Sequence, residues 1–259
     1  MTRLISGVVL AAAALAAILF LPHEILRYIV IGIALLTASE YIAIARKTGT
    51  APTAWIVFVL VGAACWWIPS SMNQGAFTPV LVLALALLVV DVLFGGKSLT
   101  DTAVALIAPL YIALPLGLLV AIHALGGREA VLLLIATIVV SDSSQYYTGR
   151  MFGRRPLAPT VSPKKTIEGA VGGVIIGTAF MFLAGRFVFP MARTPLLIAM
   201  GISIVLLGIT GDLFESKLKR VAGVKDSSAL IPGHGGVLDR IDALLLATPA
   251  FYLFLHGIM

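Results

Sequence analysis

The sequence predicts an all-α fold, a polytopic integral membrane helical bundle with about nine transmembrane helices. Composition is the first reason: 60% of the 259 residues are hydrophobic and 12% charged, against about 25% charged in a soluble domain. Mean hydropathy is the second, at +1.07. The third is spacing: nine apolar runs each approach the roughly 20 residues that a span needs. In lipid every backbone N–H and C=O must be paired internally, and helices are the natural solution for runs of this length.

The first run, Leu4–Leu21, follows Arg3 and holds alanines suited to signal cleavage. No polar region precedes a cleavage site, so a retained helix is expected. Ile25–Ala45 carries Glu40 within Thr37-Ala38-Ser39-Glu40-Tyr41, read as an acid that snorkels to the interface. Ala51–Ile68 contains the lone Cys65 beside Trp66 and Trp67, which rules out a disulfide framework and is read as packing. Phe77–Phe94 is plain. Thr102–Leu125 includes Pro109 and Pro115, which should kink it. Glu129–Phe152, Thr166–Phe189, Pro195–Lys217 and Asp239–His256 complete the set.

The net charge of +6 is a topology signal rather than a nucleic-acid footprint, and no nucleic-acid partner is expected. With a cytoplasmic N-terminus, the Lys and Arg residues divide 14 to 4, with only Arg27, Arg128, Arg186 and Arg193 on the far side. Nine spans put Met1 in the cytoplasm and Met259 on the opposite face. Residues 1–130 read as a scaffold in contact with lipid tails and as a candidate homodimer surface. Residues 131–259 read as the catalytic region of one continuous membrane domain. Seven of the twelve acids lie from Asp142 onward. No internal repeat, low-complexity tract or long linker interrupts the chain.

Three constellations carry chemistry. In Ser141-Asp142-Ser143-Ser144-Gln145-Tyr146-Tyr147-Thr148-Gly149-Arg150, the residues Asp142, Gln145, Tyr146 and Gly149 share one helical face. In Pro159-Thr160-Val161-Ser162-Pro163-Lys164-Lys165-Thr166-Ile167-Glu168-Gly169, two prolines stiffen a loop. Lys164, Lys165 and Thr166 are then expected to open the seventh helix, whose positive end favours phosphate. The third runs from Asp212 to Asp242. Asp212, Glu215, Ser216 and Lys219 share a face, as do Asp239 and Asp242. Between them Pro232-Gly233-His234-Gly235-Gly236 forms a turn whose backbone can approach a ligand. Carboxylates at two helix ends, ringed by Lys219, Arg220, Lys225 and Arg240, suit a Mg²⁺–polyphosphate complex. His234 has no Cys partner, and a zinc site is not expected.

These segments resemble those of the bacterial phosphatidate cytidylyltransferases (CDP-diacylglycerol synthases). The first resembles Asp-Thr-Gly-Ala-Tyr at Asp142, Tyr146 and Gly149. The second resembles Ser-Pro-x-Lys-Thr-x-Glu-Gly at Ser162, Pro163, Lys165, Thr166, Glu168 and Gly169. The third is the family signature, filled from Ser216 to Asp242. The resemblance covers Ser141–Asp242, and it departs at Ser143-Ser144-Gln145 and at Arg154. It implies an enzyme of phospholipid biosynthesis in the bacterial inner membrane, with a cytoplasmic active site, which makes CDP-diacylglycerol and pyrophosphate from CTP and phosphatidate.

It also implies Mg²⁺ held by Asp212 and Asp239, with a second, monovalent cation left open. Lys219, Arg220 and His234 would serve the reaction beside them. Asp142, Tyr146, Ser162, Lys164, Lys165, Thr166, Glu168, Ser216, Lys225, Asp226, Gly235, Gly236, Arg240 and Asp242 would contact substrate. The rival activities are a CTP-dependent lipid kinase of polyprenol or phytol type and a cation-coupled transporter. The transporter would place its acids near mid-bilayer, whereas these cluster with lysines at one side. A paralogue that binds without turnover is the remaining alternative.

Overall fold

The structure is a computed structural model describing residues 2–70 and 77–258. Met1 and Met259, which the sequence assigns to opposite faces, lie outside the described residues. Helices α1 (Thr2–Phe20), α2 (His23–Lys47), α3 (Ala54–Ser70), α4 (Phe77–Phe94) and α5 (Leu99–Ala108) follow in order. A π turn at Pro109–Ala113 then leads into α6 (Leu114–Phe152). A short hairpin, β1 (Pro156–Ala158) and β2 (Ser162–Thr166), precedes α7 (Ile167–Val188), α8 (Thr194–Val221) and α9 (Leu238–Ile258).

Among the described residues five helices are long and apolar enough to cross a membrane: His23–Lys47, Leu99–Phe152, Ile167–Val188, Thr194–Val221 and Leu238–Ile258. Three shorter apolar helices accompany them, Ser6–Phe20, Ala54–Pro69 and Thr78–Phe94. The run Leu99–Phe152 is 54 residues long and contains two of the expected spans, divided where Gly127 leaves helical geometry at φ 71°. The chain is an all-α, multi-pass membrane protein.

The chain forms two compact units that interleave in sequence, Met1–Ala124 with Leu218–Ile241, and Leu125–Lys217 with Asp242–Met259. In the first unit, α2 buries Leu26, Val30, Ala34, Ala38, Tyr41 and Ala45, one stripe at helical spacing. The buried stripe of α3 is Ile56, Leu60, Ala64, Cys65 and Ile68, while Trp55, Phe58 and Val59 are exposed. Cys65 is packing, as read from the sequence, with its thiol 3.5 Å from the Ala113 carbonyl. Asp91 on α4 is buried and accepts from Thr53 Oγ1 (2.7 Å) and Thr102 Oγ1 (2.9 Å), which fastens α4 to both flanking segments. The prolines expected to kink the fifth span coincide with a change of winding, since Pro109 opens the π turn.

In the second unit, α7 buries Gly169, Gly173, Gly177, Met181 and Gly185, every fourth residue. Small residues at that spacing let helix backbones approach closely. Leu197, Met200, Ile204 and Ile209 of α8 and Leu245, Phe251 and Leu255 of α9 supply the bulky side of this core.

The expected opening of the seventh helix needs correction. Lys164 and Lys165 lie on β2, not in a helical turn, and α7 begins at Ile167. Pro159 occupies the second position of the turn closed by Val161 N–H to the Ala158 carbonyl (3.1 Å). Pro163 then holds Ser162 extended. Thr166 is the N-cap, and its hydroxyl accepts from Gly169 N–H (3.1 Å).

Candidate active site

In the second unit the end of α6, the hairpin and α8 bring together Asp142, Lys165, Asp212 and Ser216. Lys165 Nζ is ion-paired to Asp212 Oδ2. The other Asp212 oxygen accepts from Ser216 Oγ at 3.3 Å, one turn along the same helix. Asp142 accepts from Gln145 Nε2 (3.0 Å) and lies within electrostatic reach of both Lys165 and Asp212. The pair is partly open, with side-chain exposures of 23% for Lys165 and 30% for Asp212. Glu168, at the start of α7, turns back to accept from the backbone N–H groups of Arg154 (3.0 Å) and Arg155 (3.2 Å). It therefore fixes the entry to the hairpin that carries Lys165.

Tyr146 is not brought to this cluster. It is 59% exposed and packs edge-on against Tyr147, with ring centroids 5.3 Å apart. Gln145 and Gly149, on the same helical stripe as Asp142, lie against α7 and its N-cap, where a side-chain carbon at Gly173 would meet Gln145 and one at Gly149 would meet Thr166.

In the first unit, the end of α8, the loop after it and the start of α9 bring together Lys219, Ser227, Gly235, Gly236 and Asp239. Lys219 Nζ is ion-paired to Asp239 Oδ1, with side-chain exposures of 11% and 5%. Asp239 Oδ2 accepts from Ser227 N–H (2.8 Å), Ser227 Oγ (2.8 Å) and Gly236 N–H (2.7 Å). Pro232 and Gly233 form the centre of a turn closed by His234 N–H to the Ile231 carbonyl (2.9 Å), and Gly233 takes φ 77°. His234 Nδ1 is 2.9 Å from Ser6 Oγ, which also reaches the Pro232 carbonyl at 3.1 Å. The histidine expected to donate to phosphate or backbone thus meets a hydroxyl of α1. A cavity of about 450 Å³ lies alongside, lined by Lys225, Asp226, Ser228, His234, Gly235 and Arg240. Arg220 is exposed and bonds the Val224 carbonyl at 3.1 Å.

Glu40 overturns its sequence reading. It is 4% exposed and does not snorkel. Its carboxylate accepts from Ser228 Oγ (2.6 Å), Val237 N–H (2.9 Å), Leu238 N–H (2.7 Å) and Ser227 Oγ (3.1 Å). The available signal was its depth: an acid seven residues inside the last residue of α2 requires a partner.

Carboxylate oxygens are the hard donors that Mg²⁺ takes, usually one or two carboxylates completed by phosphate and water. Asp212 and Asp239 fit that description on one condition. In each, a lysine ammonium already stands beside the carboxylate and would have to share it with a cation or give way to one. Among the described residues no group of three or more His, Cys, Asp or Glu side chains is gathered for a metal. A divalent ion here would therefore draw further oxygens from substrate.

The sequence matches the model of the Cytidylyltransferase family over residues 1–258. It is 44% identical over 131 residues to the uncharacterized protein YnbB of Escherichia coli, covering 51% of this chain and 44% of that protein. It is 46% identical over 129 residues to the phosphatidate cytidylyltransferase of Haemophilus influenzae, covering 48% and 45%. With the enzyme of that name from Aquifex aeolicus the identity is 41% over 124 residues, covering 48% and 46%. The chain spans about half the length of the curated relatives it matches. A match along nearly the whole chain, on a helical membrane fold with paired lysines and carboxylates, places the chain in the Cytidylyltransferase family.

Proposed function

We propose that the protein transfers a cytidylyl group from CTP to phosphatidate, giving CDP-diacylglycerol and pyrophosphate at the cytoplasmic face of a bacterial inner membrane. The observation that carries this reading is the pair of lysine–carboxylate contacts, Lys219–Asp239 inside the signature segment and Lys165–Asp212 between the second segment and the lead-in to the third. Relatives bearing the name phosphatidate cytidylyltransferase support the choice of substrates. The lopsided distribution of Lys and Arg supports the orientation.

In the proposed reaction a phosphate oxygen of phosphatidate attacks the α-phosphorus of CTP. The new P–O bond forms as the bond from the α-phosphorus to the bridging oxygen breaks, and pyrophosphate leaves with that oxygen. The attacking phosphate is already anionic at neutral pH, so no strong base is needed. The protein's task is to hold two highly charged molecules in line and to neutralise charge. Asp212 in one unit and Asp239 in the other are each a carboxylate that would take Mg²⁺, and the ion would supply charge screening for the triphosphate and for the departing pyrophosphate.

Lys165 and Lys219, released from these carboxylates, are then free to bind phosphate oxygens as point charges. Each lysine thus serves as counter-ion to the protein before substrate arrives and to the substrate afterwards. Lys225 and Arg240 line the 450 Å³ cavity and would hold further phosphate oxygens. Ser162 and Lys164 would contact substrate from the strand that carries Lys165, while Thr166 caps α7 and Glu168 holds the entry to that hairpin.

The test is a Mg²⁺-dependent assay of purified protein with phosphatidate and CTP labelled at either the α- or the γ-phosphorus. Label from the α-position in the lipid product supports the reading. Label from the γ-position alone shows a lipid kinase instead, and label in neither removes the reading.

A further inference from the structure

We propose that Glu40 is a positioning residue of this site: a buried clamp that sets the 227–238 loop and, through Ser227, the carboxylate of Asp239. The proposal deepens the functional reading above and rests on it for the identity of the ligand. Glu40 comes from α2, in the half of the chain where the sequence showed no chemistry. All four of its donors come from one stretch of loop, Ser227 and Ser228 at its start, Val237 and Leu238 at its end.

Val237 and Leu238 lead into α9, where the first N–H groups of a helix have no partner within it. Glu40 supplies that partner from another helix, and its charge faces the positive end of α9. A single carboxylate therefore holds both ends of the loop at once.

The glycines of the turn are shaped by the same group. A side-chain carbon at Gly236 would lie 2.4 Å from Glu40 Oε1 and 2.1 Å from Ser227 Oγ. At Gly235 the corresponding atom would lie 2.5 Å from Asp239 Oδ2. The glycine pair thus makes room for two carboxylates, one on each residue's flank.

Ser227 Oγ joins them. It lies 3.1 Å from Glu40 Oε2 and 2.8 Å from Asp239 Oδ2. A hydroxyl has one hydrogen to donate, so the two acids share it. Any change at Glu40 alters what Ser227 gives to Asp239, and hence how readily Asp239 exchanges Lys219 for a cation.

The test compares the full-length wild type with Glu40→Gln and with Asp91→Asn, in lipid nanodiscs. Asp91 is the control, a buried acid of the same unit that bonds Thr53 and Thr102 and touches none of the loop. In Glu40→Gln an amide N–H₂ replaces one acceptor and must face a backbone donor. Loss of such outer partners typically weakens metal binding by about 10- to 100-fold. Glu40→Gln is therefore expected to raise the Mg²⁺ concentration for half-maximal turnover by about tenfold, with the maximal rate largely recovered at high Mg²⁺. Asp91→Asn should leave that concentration unchanged even where it lowers thermal stability.

Hydrogen exchange supplies a readout without turnover: the amides of Val237 and Leu238 should lose protection in Glu40→Gln and keep it in Asp91→Asn. An unchanged Mg²⁺ requirement in Glu40→Gln, or equal shifts in both variants, overturns the positioning role. If wild type transfers no label from CTP, the functional reading fails, and the clamp is decided by exchange alone. Unchanged protection at Val237 and Leu238 then refutes it.

Discussion

The two lysine–carboxylate pairs look alike in sequence yet should differ sharply when their lysines are removed. Lys219→Met strips the cation from a carboxylate only 5% exposed, whereas Lys165→Met strips it from one that is 30% exposed. Breaking a buried pair by deleting one partner costs about 3–5 kcal/mol, because the remaining charge is left desolvated. Asp239 keeps three other donors, from Ser227 and Gly236, at the start of a helix. Those donors offset part of the loss, so we expect about 2–3 kcal/mol for Lys219→Met. Exposed pairs contribute about 0.2–1 kcal/mol, which sets the expectation for Lys165→Met.

At about 2–4 °C per kcal/mol for a chain of this size, the corresponding falls in Tm are about 4–12 °C and at most about 4 °C. Cys65 makes the measurement direct, because the single thiol of the chain is buried and reacts with a fluorogenic maleimide only on unfolding. Thermal ramps in detergent with that reagent report Tm for each variant. Equal shifts in the two variants would refute the reasoning, as would a Lys219→Met protein as stable as wild type.

If Asp212 and Asp239 take Mg²⁺ as proposed, Asp212→Asn and Asp239→Asn should each abolish transfer of α-label to lipid while the protein stays folded, since loss of a metal ligand removes several kcal/mol of charge stabilisation. Near-normal turnover in either variant removes that residue from the metal site. Gly236→Ala should abolish turnover, because its new carbon would lie 2.1 Å from Ser227 Oγ. Gly223→Ala, at φ 68° with open space around it, should cost only about 1 kcal/mol of backbone strain and leave turnover intact. For orientation, Lys97→Cys and Arg128→Cys in a Cys65→Ala background should differ in intact cells. An impermeant maleimide should reach Arg128→Cys alone, and labelling of Lys97→Cys alone would invert the topology.

Hydropathy made the helices legible, because the bilayer imposes one solution on every apolar run. The hairpin at Pro156–Thr166 was hidden by reading Lys164 and Lys165 as helix openers, although Pro159 and Pro163 already oppose a helix there. Periodicity placed Asp212, Ser216 and Lys219 on one helical face, but not the partners that face would meet. Lys165 finds Asp212 across 47 positions, and Glu40 finds its loop across 187 to 198. No local pattern encodes contacts at that range. Periodicity likewise placed Tyr146 on the face of Asp142 without giving its neighbour, the edge-on ring of Tyr147.

The glycine stripe of α7 makes that helix a graded gauge of tolerance to mutation. Near the hairpin, an added methyl at Gly172 or Gly173 would come within 2.4 Å of Thr148 or Gln145. At Gly177 the gap is 2.7 Å to Val205, and at Gly185 it is 3.1 Å to Leu197. Natural variation should therefore be narrowest over Gly169–Gly177, where every gap is 2.8 Å or less, and a library built on this helix should recover alanines only toward Val188. What holds the hairpin end in register is the absence of atoms, a constraint that selection can enforce only by rejecting nearly every alternative residue.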